Sequence, residues 1–104
     1  MPKKYELTGE WKMVKGVQVY RIKALRDIGN VKTGEEGGFI ESEDNLSQFG
    51  HAWVGRTAIV MDCAYIRGNA IVERTIIKDS VLVQGNTVLI GPKILGGNKI
   101  YGDF

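Results

Sequence analysis

Cut every six residues, Ala52 to Phe104 reads AWVGRT, AIVMDC, AYIRGN, AIVERT, a five-residue IIKDS, then VLVQGN, TVLIGP, KILGGN and KIYGDF. Val54, Val60, Ile66, Val72, Val83 and Leu89 recur at one register, and Ala52, Ala58, Ala64 and Ala70 sit two residues before the first four of them. A two-residue spacing places both side chains on one face of a strand, so the alanine and the aliphatic point inward together. Gly68-Asn69, Gly85-Asn86 and Gly91-Pro92 fall between these strands, where a sharp corner needs residues that tolerate a bent or left-handed backbone. Self-similarity at so short a period marks a repeat architecture. Three strand-and-corner units close a triangle of about eighteen residues, and triangles stack about 4.8 Å apart through parallel ladders. The prediction is an all-β chain, a parallel β-helix of about three to four coils over residues 52–104, with a narrow core of alanine and branched aliphatics.

Working upstream, residues 4–27 read as a β-hairpin. Tyr5, Leu7, Trp11 and Met13 mark one arm, Lys15-Gly16 supplies a turn, and Val17 to Ile22 is a β-branched and aromatic second arm. An open β-helix end exposes apolar cross-section and unpaired backbone, so the hairpin is expected to act as a cap. Otherwise Trp11, Tyr20 and Arg21 form a recognition surface. Residues 28–51 read as an irregular first coil, with Ile40 and Leu46 keeping the inward register six and twelve residues before Ala52. Its glycines Gly34, Gly37 and Gly38 are expected to relax the backbone. Its acids, among them Glu35, Glu36 and Glu41, are expected to form a solvated loop, with partner binding as the functional reading. No metal site is expected, because no metal-ligand spacing is present.

These hexads resemble the [Leu/Ile/Val]-Gly-x-x-[Ser/Thr/Ala/Val]-x repeat of left-handed β-helix proteins. With VYRIKALRDIGNVKTGEEGGFIESEDNLS and the Ala-x-Val-x-Gly-Asn units that follow, nearly the whole chain is similar to a group of uncharacterised bacterial and prophage hexapeptide-repeat proteins often labelled putative transferases. The resemblance implies a left-handed coil and brings no catalytic residue set with it.

Composition bounds the rest. A chain of 104 residues with 43% hydrophobic content is long enough for one domain and too short for two. There is no apolar run for a membrane span, and Met1-Pro2-Lys3-Lys4 leads into amphipathic Tyr5-Glu6-Leu7, unlike a signal peptide. A lone Cys63 at a corner forms no internal disulfide and fits a reducing compartment, so a cytoplasmic location is expected, the host's if the protein is phage-encoded. A net charge of +2, with basic residues scattered among acids, shows no basic stripe; nucleic acid is not an expected partner.

The catalytic inventory is thin. Hexapeptide-repeat acyltransferases use a histidine as general base toward a thioester, and His51, the one histidine, sits at a corner before the first clean hexad. A solvent-facing turn residue is the plainer reading. The acyltransferase, with His51 as base and an acyl-coenzyme A donor, stays as the alternative. One histidine cannot supply a zinc trio, and no phosphate loop or nucleophile elbow is present. No cofactor is expected.

The outside of the prism is more informative. The residue between the two inward ones faces solvent, and that position holds Trp53, Ile59, Tyr65, Ile71, Ile77, Leu82, Val88, Ile94 and Ile100. Counting the short block as IIKDS gives three ladders: Trp53, Ile71 and Val88; Ile59, Ile77 and Ile94; Tyr65, Leu82 and Ile100. Soluble monomers seldom expose apolar patches beyond a few hundred Å², so a homodimer or homotrimer is expected, with the all-isoleucine ladder as first choice of contact. A rival arrangement folds the hairpin back over one face. Near the end of the sequence, Lys93 and Lys99 fall at inward positions, so either they reach out at the corners or the register slips after Pro92 and turns Ile94 and Ile100 inward. Tyr101 and Phe104 are candidate plugs, with end-to-end stacking as the substitute. The functional expectation is a non-enzymatic, self-associating binding protein, presenting its coils and loops to a host protein or small ligand. The prophage resemblance implies an inhibitor or sequestering protein acting on a bacterial defence component.

Overall fold

A computed structural model describes residues 3–103. Phe104 lies outside the described residues. Two strands open the chain, β1 (Tyr5–Val14) and β2 (Val17–Ala24), followed by β3 (Glu36–Ile40) and a single 3-10 turn, Glu43–Asn45. Then come β4 (Trp53–Val54), β5 (Ile59–Val60), β6 (Tyr65–Ile66), β7 (Ile71–Ile77), β8 (Leu82–Val83), β9 (Val88–Leu95) and β10 (Ile100–Tyr101).

From β3 onward the pairing is parallel, each strand bonding to one a full coil away. β4 pairs β7, which pairs β9; β3 pairs β5, which pairs the second half of β7; β6 pairs β8, which pairs β10. The result is a three-sided β-solenoid. Ala52, Ala58, Ala64, Ala70, Val54, Val60, Ile66, Val72 and Val83 are all fully buried in one continuous core, with Leu89, Leu95 and Tyr101 packed against its far end.

One register differs from expectation. Ile77 is fully buried and pairs with Val60, an inward residue, while Ile76 takes the outward place opposite Ile59 and Ile94. The missing residue is lost from the corner before the strand, not after it. Arg74 turns that corner in the left-handed region (φ 58°), and Thr75 then occupies the small inward position, donating its hydroxyl to Gly91 O at 2.9 Å. The block boundaries are therefore AIVER and TIIKDS.

The register does not slip after Pro92. Ile94 and Ile100 stay outward, 53% and 68% exposed, and Lys93 lies opposite Thr75 but reaches water along with Lys99. Pro92 and inward-register lysines along a last coil are devices that discourage strand addition at an edge. They argue against end-to-end stacking as the route of association.

Corners are stabilised by two kinds of ladder. At one, Gly50, Gly68, Gly85 and Gly102 all adopt positive φ, one above another; a Cβ on Gly50 would lie 2.5 Å from Gly68 O. At a second, carboxylates bridge coils: Glu41 Oε1 accepts from Asp62 N–H (2.7 Å), Asp62 Oδ2 from Asp79 N–H (3.1 Å), and Asp79 Oδ2 from Gly97 N–H (2.7 Å). Asp62 and Asp79 are themselves left-handed (φ 59° each), a conformation Asp tolerates better than most side chains.

The hairpin turns through Lys15 and Gly16, both at positive φ, as the twist-matched two-residue turn requires. Its second strand, β2, pairs antiparallel with β3 and so extends one solenoid sheet beyond the first coil. Tyr5, Ile22 and Ala24 enter the core there. The outer side of the same hairpin carries Val14, Val17 and Val19 against Phe39, Ile59, Met61 and Ile76, forming a second apolar cluster. One hairpin thus closes an end and roofs part of a face.

Lys4 and Tyr5 seal that end with polar groups. The Lys4 ammonium is fully buried and donates to Ala52 O (2.7 Å) and Phe49 O (3.3 Å); the Tyr5 hydroxyl donates to Leu46 O. Burial, with Arg26 adding repulsion, pushes the lysine's pKa down to about 8, and burial followed by Glu43 pushes the tyrosine's up. From about pH 8 toward the ordinary lysine pKa, the unfolded chain binds the proton that folded Lys4 resists, so stability rises with pH. Above about pH 10 the unfolded chain loses a tyrosine proton that the fold retains, and stability falls. Urea unfolding should therefore show a stability maximum near pH 10, about 2 kcal/mol above that at pH 8. Lys4→Met should remove the rise. A flat profile in the wild type would contradict this account of the buried amine.

Candidate functional site: the exterior faces and the Trp53 cleft

The three outward ladders are covered to different extents. On the first, Trp53 is only 5% exposed although it points away from the prism; residues 28–36 pass over it, and Val31 packs with it against the core. Ile71 and Val88 below it are open. On the second, the hairpin roofs Phe39 and Ile59, leaving Ile94 exposed. The third runs Tyr65, Leu82 and Ile100 across β6, β8 and β10, a separate three-stranded sheet that the hairpin does not join. Phe49, 68% exposed, borders it beside Tyr65 and Arg67.

This placement changes the expected contact. The isoleucine ladder of Ile59, Ile77 and Ile94 is not an open face, because Ile77 is core and Ile59 lies under the hairpin.

The loop over Trp53 is tightly built. Ile28 and Val31 bridge each other across Gly29-Asn30 with two 2.8 Å backbone hydrogen bonds. Asp27 Oδ1 accepts from Thr33 N–H (2.8 Å) and from the Thr33 hydroxyl (2.9 Å), and these bonds, the backbone one first, hold its carboxyl below the ordinary range. Arg26 reaches Gly50 O at 3.4 Å.

Between this loop and the coils lies an open cleft in two joined parts that share Val31, Trp53 and Glu73. The larger, about 580 Å³, is bordered also by Lys23, Glu35, Glu36 and Arg56; the smaller, about 360 Å³, by Ile28, Asn30, His51, Asn69 and Ile71. Glu73 lies flat over the coil above, where a Cβ on Gly55 would come within 2.7 Å of its Cγ. Arg56 is paired to Glu36 (3.2 Å) and Lys23 to Glu6 (3.7 Å). Among the described residues no cation pairs with the carboxylate of Glu73 or of Glu35.

The remaining candidates separate in space. Arg21, on β2, is 8% exposed, its Nη1 donating to Gly37 O at 2.6 Å. Glu10 Oε2 sits 2.9 Å from its Nε, off the N–H axis, so that contact is charge pairing more than a hydrogen bond. Its guanidinium and the Lys12 ammonium both stand over the Phe39 ring, 4.4 and 4.5 Å from the centroid. Arg21 is thus a packing residue, not a surface one. Glu41 likewise serves the corner ladder. Trp11 and Met13 are more than half exposed, with Tyr20 beside Trp11 across the hairpin. Glu35 and Glu36 reach the cleft; Trp11 and Tyr20 do not line it.

His51 is exposed and shares the smaller part of the cleft with Glu73. Among the described residues no group of three His, Cys, Asp or Glu could hold a metal ion, and no helix is long and apolar enough to cross a membrane. A scan against protein-family models and a search of curated proteins both return no match.

Proposed function

We propose that the protein is a non-enzymatic binding protein that works as a self-associating β-solenoid, its copies meeting on the β6-β8-β10 face. The observation that supports this is the unroofed ladder of Tyr65, Leu82 and Ile100, with Phe49 at its border. Two of these residues are 68% exposed, and burying one such side chain is worth about 1.5 to 3 kcal/mol. A sheet face whose central outward positions are Tyr65, Leu82 and Ile100, with Arg67 at its border, favours a like face. Closed symmetry, as a dimer or a trimer, satisfies it without fibre growth. The likeness to prophage proteins extends the reading to sequestration of a component of bacterial defence, a host protein or a small ligand, in the host cytoplasm.

Leu82→Glu tests the association. The wild type should sediment as a dimer or trimer at micromolar concentration, and the variant as a folded monomer whose dissociation constant has risen at least about a hundredfold. A monomeric wild type, or an unchanged assembly in the variant, would overturn the reading.

A further inference from the structure

The geometry points to the Trp53 cleft as a binding site for an alkyl cation, a ligand with an apolar stem and an ammonium or guanidinium head. This stands apart from self-association, since the cleft lies on a different face. Three observations carry it. First, the walls are of two kinds: half-buried Val31 and exposed Ile71 offer apolar surface beside the buried Trp53, and Glu73 and Glu35 offer charge. Second, the charge is uncompensated: the two cations that border the cleft are engaged, Arg56 with Glu36 and Lys23 with Glu6, so an incoming anion finds no free partner. Third, the site is built in advance. The roof is fixed by the Ile28–Val31 bridge and the Asp27–Thr33 bonds, and Gly55 leaves the space that Glu73 occupies.

Glu73 and Glu35 are exposed, and a carboxylate gains most from a cation that it can both pair with and hydrogen-bond. A stem lying on Val31 and Ile71 with its head on Glu73 uses both the apolar wall and the charge. Such a head can belong to a free small molecule or to a basic side chain of a polypeptide, and the two share one chemistry here.

The test uses the full chain carrying Trp11→Phe, which leaves Trp53 as the only indole and removes a tryptophan that does not border the cleft. Its indole N–H resonance is followed while agmatine, and separately the blocked peptide acetyl-Gly-Arg-Gly-amide, is added. A saturable shift with either supports the site, and which probe binds tells a free cation from a side chain. Glu73→Gln should weaken that binding at least tenfold while leaving the unliganded spectrum in place. Hexanoate, an anion with a similar stem, should give no saturable shift. Absence of saturation with both cations at millimolar concentration, equal binding of hexanoate, or unchanged affinity in Glu73→Gln would each overturn the proposal.

Discussion

Ile77→Asp is expected to unfold the protein rather than to dissolve an assembly. Ile77 is fully buried, stacked between Val60 and Leu95 at an inward register of β5, β7 and β9. This part of β7 sends two side chains inward, Thr75 and Ile77, and the Thr75 hydroxyl is already committed to backbone carbonyls. A carboxylate at position 77 would find no donor and no room for water. Loss of the aliphatic contacts together with an unpaired polar group should cost about 5 kcal/mol or more. That is comparable to the whole stability of a domain of this size. Circular dichroism and urea titration should show little native protein. A variant that stays folded and merely changes its oligomeric state would mean that the side chain faces out.

A single methyl group at Gly38 should be nearly as damaging. The sequence suggests that Gly37 and Gly38 loosen the backbone, but both lie inside β3 where the chain crosses closest to its neighbours. A Cβ on Gly38 would lie 2.3 Å from both Ala58 O and Gly55 O; one on Gly37 would lie 2.6 Å from Val54 O and 2.7 Å from Trp53 Cζ2. Backbone carbonyls cannot rotate aside as a side-chain tip can. Gly38→Ala should therefore cost about 3 kcal/mol in unfolding free energy through overpacking. Gly9→Ala is the matched control: nothing lies within 4 Å of its would-be Cβ, and the change should stay within about 0.5 kcal/mol. Equal effects at the two positions would contradict the close approach of β3 to the coils.

Much of this fold was legible because its core repeats. The alternation of Ala and a branched aliphatic at Ala52/Val54, Ala58/Val60, Ala64/Ile66 and Ala70/Val72 states the inward register four times over. Two of three exterior ladders follow from it directly. The ladder of Ile59, Ile77 and Ile94 fails at one residue, Ile76 taking the place of Ile77, for a definable reason. Where a block is one residue short, the loss can fall at either corner, and Ile76-Ile77 offers an acceptable inward aliphatic both ways. Arg74 in the left-handed region settles it, and Arg is not a residue that advertises that conformation.

The site was less legible. Which face the hairpin and the residue 28–36 loop cover depends on how they dock, and no local pattern encodes docking. Trp53 reads as exposed from its register and is buried because another segment lies on it. The cleft joins Val31, Trp53 and Glu73 from three separate stretches of chain. One signal was present: Gly55 and Glu73 are eighteen apart, one coil, so a glycine directly above an acid marks room made for that side chain. The acidic run that drew attention disperses instead, with Glu41 on a corner ladder and Glu35 and Glu36 at the cleft.

The most direct test of the winding is a side-by-side urea titration of Ile76→Asp and Ile77→Asp. Neighbours in sequence, they lie on opposite sides of the same strand, one in the partly open ladder under the hairpin and one in the core. Ile76→Asp should remain folded, losing about 1 kcal/mol, with at least about 3 kcal/mol separating it from Ile77→Asp. Equal losses, or the larger loss at position 76, would contradict the winding described.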